Sequence, residues 1–169
     1  MNAFFLWLEA TALSTWVRES TSVFAFPAIL SVHAIGMGLA VGVNVAMAAR
    51  LLGFAPAVPP QELRRFGSIM WLGFWMNSAS GVLLFLGYPT KALTNPVFYL
   101  KMSLIAVGMW LYVLMSRQLT GAGLKAGTTT VQGLKAGTTL AVASLMCWAG
   151  AVTAGRLLAY TARRILATW

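Results

Sequence analysis

The chain has 169 residues, of which 59% are hydrophobic and 9% charged. Soluble domains carry about 25% charged residues, so the composition, with a mean hydropathy of +0.79, weighs against a water-soluble globular fold. The net charge of +9 does not point to nucleic acid, because the basic residues fall mostly between apolar runs, where insertion topology and anionic lipid account for them. One cysteine, Cys147, rules out an intrachain disulfide and reads as a small packing residue.

The chain contains three acids, Glu9, Glu19 and Glu62, and none sits at the centre of an apolar run. Proton-coupled carriers usually need a membrane-buried carboxylate or a histidine relay. With one histidine and no buried acid, carrier and channel readings lose ground. Met1 to Leu8 lacks a basic n-region and Glu9 interrupts its apolar stretch, so the first spanning helix is expected to act as an uncleaved insertion signal.

Taken in order, residues 1–22 read as an interfacial segment. Phe4, Phe5, Trp7, Leu8, Leu13 and Trp16 alternate with polar residues in a run too short and too polar to span, as in a helix lying on the membrane. Ser20, Thr21 and Ser22 are N-cap candidates for the next helix. A first spanning helix is expected over about 23–48, with Pro27 near its start. Within it Ala34, Gly38, Gly42 and Ala46 recur every fourth residue, a ridge of small residues that would admit another backbone or a flat ligand. His33, Met37, Ala40 and Asn44 form the neighbouring stripe.

Pro60 followed by Glu62 reads as a helix start. A second span is expected over about 67–87, with Gly73, Asn77 and Gly81 on one close-approach face. Tyr88 to Lys91 ends it. Asn95-Pro96 is a cap followed by a first-turn proline, and a third span is expected over about 97–116 with Lys101 one turn inside. Residues 118–136 read as a loop holding a tandem duplication, in which Gly123 to Thr129 recurs as Gly133 to Thr139. A fourth span is expected over about 138–160, carrying Gly150, Ala151, Ala154, Gly155 and Arg156. The whole is therefore expected to be a single all-α domain, an integral membrane four-helix bundle with an N-terminal interfacial helix.

Arg50, Arg64 and Arg65 come after the first span, and Arg117, Lys125 and Lys135 after the third. The positive-inside rule puts both loops in the cytoplasm and both termini outside, although Arg163-Arg164 partly oppose this. In a bacterium this means the inner membrane with periplasmic termini. His33, Lys101 and Arg156 then reach similar depth in the outer half, His33 about 15 Å down at 1.5 Å per residue.

An ionisable group at that depth is a functional-site candidate. Haem iron accepts a neutral imidazole, a flat apolar macrocycle suits glycine-faced helices, and its propionates want cations. This makes His33 the expected metal ligand of a haem b, with Met37, Gly38, Gly42, Asn77, Lys101 and Arg156 as surrounding cofactor contacts. The competing reading ties His33 by hydrogen bonds to Ser31, Asn77 or a backbone carbonyl and lets Lys101 and Arg156 snorkel to the headgroups. A second axial ligand stays open among Met70, Met76, Met102, Met109 and Met146, His33 of a second subunit, or a vacant position. Met37 projects to the same side as His33 and cannot bind the opposite face of one iron.

Phe26-Pro27 through Ser31-x-His33-x-x-Gly36-Met37, then Arg50 to Gly53, Ser80-Gly81-x-x-Leu84-Phe85 and Phe98-x-x-Lys101-x-x-Leu104, resemble a group of small, uncharacterised bacterial four-helix membrane proteins. That group in turn is similar to the copper-resistance D and b-type cytochrome membrane domains. The resemblance covers residues 23–116. It implies a four-helix bundle with haem b on His33, Lys101 as a charged partner, and an electron-transfer or redox-accessory role. Such cytochrome domains pair histidines on facing helices, whereas this chain has one. The alternative function is a non-enzymatic accessory or assembly subunit, packing as a homo-oligomer or within a larger membrane complex.

Overall fold

A computed structural model describes residues 7–54, 60–119 and 131–166. Its helices include α1 (Ala12–Glu19), α2 (Phe26–Leu51), α3 (Pro60–Gly87), α4 (Pro89–Thr94), α5 (Pro96–Arg117) and α6 (Val131–Leu166). No strand occurs among the described residues. Phe26–Leu51, Arg65–Gly87, Pro96–Arg117 and Lys135–Leu158 are long and apolar enough to cross a membrane. The all-α four-helix bundle read from the sequence is the architecture found.

Local chemistry explains most boundaries. Asn95 caps α5, its Oδ1 accepting from the Val97 N–H at 3.0 Å, and Pro96 occupies the first turn where no donor is needed. Thr11 caps α1 by accepting from the Ser14 N–H at 3.4 Å. Ser20 and Ser22 do not cap α2. Their hydroxyls accept from Ser22 N–H and Phe24 N–H, both at 3.2 Å, and fold the approach into a turn. The N-cap is Ala25, without a side-chain bond, so α2 begins three residues later than expected. The larger departure is α6. It starts at Val131, so the second copy of the repeat is helical rather than loop, while the first copy lies outside the described residues. Gly137 is buried against Gln118, whose Oε1 would lie 3.3 Å from a Cβ there. That fit lets the polar repeat continue the helix.

The helices pack as two antiparallel pairs, α2 with α3 and α5 with α6, joined mainly along α2 and α6. The α2–α3 crossing is the tightest. A Cβ on Gly36 would stand 2.6 Å from Asn77 N and 2.8 Å from Gly73 O, and one on Gly73 would stand 2.7 Å from Gly36 O. Without a hydrophobic drive between helices in lipid, close backbone packing of this kind supplies the association. Asn44 and Ser144, both buried, join α2 to α6, the Ser144 hydroxyl meeting Asn44 Oδ1 at 3.5 Å.

The half of the bundle beside Arg50 is filled by one cluster: Val43, Met47, Ala48, Met70, Tyr112, Met115, Leu119 and Ala141, all buried. At the opposite end α1 lies against α3, with Val17 and Arg18 over Gly87. Glu9 accepts from the Thr90 N–H at 3.3 Å, and Leu13 and Trp16 face outward. An amphipathic segment of this kind fits an interfacial position.

Candidate functional site

His33 sits in the second turn of α2, away from the tightly filled end. The residue is 9% exposed, and two residues of α3 fix the orientation of its ring. Nδ1 lies 3.1 Å from the Asn77 carbonyl oxygen and 3.1 Å from Ser80 Oγ. A carbonyl only accepts, so Nδ1 carries the proton. The Ser80 hydroxyl spends its own hydrogen on Met76 O at 2.6 Å, which leaves its lone pairs for Nδ1–H. In the neutral ring Nε2 therefore holds the free lone pair, and the hydrogen bonds the ring makes among the described residues run through Nδ1. Asn77 closes the arrangement by donating Nδ2–H to His33 O at 2.9 Å. Gly81 makes room for the ring, since a Cβ there would stand 3.3 Å from Cε1.

Lys101 approaches from α5. Its side chain crosses sideways onto α6, with Cε 3.8 Å and Nζ 3.9 Å from where a Gly155 Cβ would be. The residue is half-buried, on the α5–α6 seam. No acid answers it among the described residues. Glu19 pairs with Arg18 and Glu62 with Arg65, each at 3.5 Å, while Glu9 is at Thr90.

The expected site residues thus divide. His33 and Asn77 come together, while Lys101 lies on α5 against Gly155 of α6. Met37 is half-buried, one turn on and about 40° around α2 from His33. Arg156 is exposed beside Gly155. Gly38 and Gly42 are exposed with open space above them, and Gly42 is about 180° around the helix from His33 at 100° per residue. The small-residue ridge therefore faces outward and borders neither the imidazole nor another helix of the chain. Gly36, one turn from His33, takes the close-approach role instead. Ser80 is the residue that sequence reasoning left without a role. Its signal was its spacing, three residues beyond Asn77 on one helical face.

No group of three or more His, Cys, Asp or Glu able to hold a metal ion occurs among the described residues. The donor set at His33 is thus a single imidazole nitrogen. That suits one axial bond to a metal already held in a macrocycle and does not suit a bare ion. Of the candidate second ligands, Met70 and Met109 belong to or pack on the filled end, and Met102 and Met146 face outward. Met76 stays near, at the Gly36 crossing. Comparison with family models, curated proteins and solved structures finds no match to this chain.

Proposed function

We propose that this chain is a haem b-binding membrane protein with an electron-transfer or redox-accessory role, in which His33 Nε2 is an axial ligand. The observation that carries the reading is the fixed tautomer. Nδ1–H is committed to the Asn77 carbonyl and Ser80, and Nε2 is left with the lone pair. Metal-bound histidines usually donate their other ring N–H to a carbonyl or carboxylate in this way, which fixes the ring and raises its basicity. A bound haem would supply one-electron exchange. The chain would supply the axial nitrogen, the orientation of the ring and an apolar surround. A further contact to a bound haem would come from Met76, from His33 of a second copy in a homo-oligomer, or from no residue. The basic loops favour a bacterial inner-membrane location with both termini periplasmic.

A second reading has its own observation. His33 and Asn77 exchange bonds between α2 and α3, ring to carbonyl and amide to carbonyl, as a helix clasp would. On that reading the protein is a non-enzymatic assembly subunit. One experiment separates them. The protein is purified in detergent from haem-replete cells and its reduced-minus-oxidised visible spectrum is recorded for wild type and His33→Ala. A Soret band lost in the variant supports haem. A colourless wild type that stays folded leaves the clasp.

A further inference from the structure

We infer that Lys101 anchors a carboxylate carried by a molecule dissolved in the membrane. Lys101 lies five residues into a spanning helix, where an uncompensated ammonium is costly and is kept for a partner. The three acids of the chain are engaged elsewhere, at Arg18, Arg65 and Thr90. A lysine that merely snorkels would run up its own helix towards the headgroups. Lys101 instead lies across to α6 over Gly155, while its neighbour in depth, Arg156, is the exposed cation.

The surroundings select the class of anion. One half-buried ammonium matches one negative charge, which a carboxylate carries. Access is lateral. The backbones of α3 and α5 stay apart over most of their length. They are bridged by side chains near their ends, with Tyr112 Oη 3.3 Å from a Gly67 Cβ position at one end and the Phe85 and Phe98 rings stacked at 5.9 Å at the other. The filled cluster closes the Arg50 end, so a carboxylate reaches Lys101 from the outer leaflet with its apolar body among the helices.

The carboxylate has two possible sources, a haem propionate or a free fatty acid. The inference rests on the His33 reading only for the first. The test uses the delipidated full chain in detergent, with a fluorescent C18 fatty acid and its methyl ester as one pair of probes, and haemin and its dimethyl ester as the other. The wild type is expected to bind the acid of at least one pair about tenfold more tightly than its ester, as a charge-assisted bond implies. Lys101→Met is expected to abolish that preference, and Lys101→Arg to restore most of it. Size-exclusion profiles and helical circular dichroism confirm that each variant is folded. Gly155→Val, which crowds the lysine without removing charge, is expected to weaken the acids selectively.

A preference confined to haemin names the propionate, and one confined to the fatty acid names a lipid-derived ligand. Equal binding of acid and ester in both pairs, or an acid preference that survives in Lys101→Met, overturns the inference. The His33 reading is scored separately, by whether the Soret band of haemin dimethyl ester shifts and sharpens on adding wild type and keeps its free position with His33→Ala.

Discussion

Gly36 and Gly73 face each other where α2 crosses α3, so closely that a Cβ on either would stand within 2.8 Å of the other's carbonyl oxygen. Both neighbours are backbone, which cannot swing aside. Gly36→Ala or Gly73→Ala is therefore expected to destabilise the bundle by about 1–3 kcal/mol, as overpacking does. Gly38→Ala and Gly42→Ala, with open space above them, should stay within about 0.5 kcal/mol of wild type. Denaturant unfolding in detergent, tracked by circular dichroism, compares the four variants. Equal losses at all four positions would contradict the crossing described.

The Asn77 side chain donates to His33 O across the same crossing. Interhelical hydrogen bonds in membranes average about 0.6 kcal/mol and reach about 1.7. Asn77→Leu should cost an amount in that range. Its Nδ2–H is lost, but the backbone carbonyl that receives Nδ1–H remains. The imidazole should therefore keep its tautomer, readable by ring-nitrogen NMR shifts as a protonated Nδ1 and a bare Nε2.

Ser80 is the complementary case. Ser80→Ala removes one of the two acceptors of Nδ1–H and leaves the other. With haem bound, second acceptors of this kind alter affinity about 10–100-fold. The variant should reach the wild-type Soret shift at saturating haem but titrate at least about tenfold more weakly, whereas His33→Ala should leave the free-haem band unshifted. A Ser80→Ala titration identical to wild type would remove the hydroxyl from the account of His33.

Orientation has a direct readout. In a Cys147→Ser background, Thr21→Cys and Phe54→Cys place thiols at exposed positions on opposite ends of α2. A membrane-impermeant maleimide added to spheroplasts should label position 21 and spare position 54. The reverse pattern would invert the topology.

Length and hydropathy made the four spans legible in the sequence, and Asn95-Pro96 and Pro60 marked their starts correctly. Which face of each span is buried was not legible in the same way. In water an apolar stripe marks the inside. In lipid both faces of α2 are apolar, so hydropathy cannot choose between the ridge of Gly38 and Gly42 and the stripe of His33, Gly36 and Ala40. Small residues at a spacing of four fit either side. His33 was a better guide because burying a polar ring requires partners, and Asn77 duly faces it. Lys101 was found by charge, but its sideways course over Gly155 depends on the α5–α6 packing, which no local pattern encodes. The start of α6 at Val131 was missed because glycine, threonine and lysine read as loop. Only the contact of Gly137 with Gln118 shows why they are helical.

The filled cluster from Val43 to Ala141 plugs the bundle at the Arg50 end. A ligand held at Lys101, as proposed, would leave by the side it entered, because eight buried side chains fill the far end. On the Lys101 proposal, such a plug suits a host rather than a conduit. Proteoliposomes containing it should hold an ion gradient as long as empty ones.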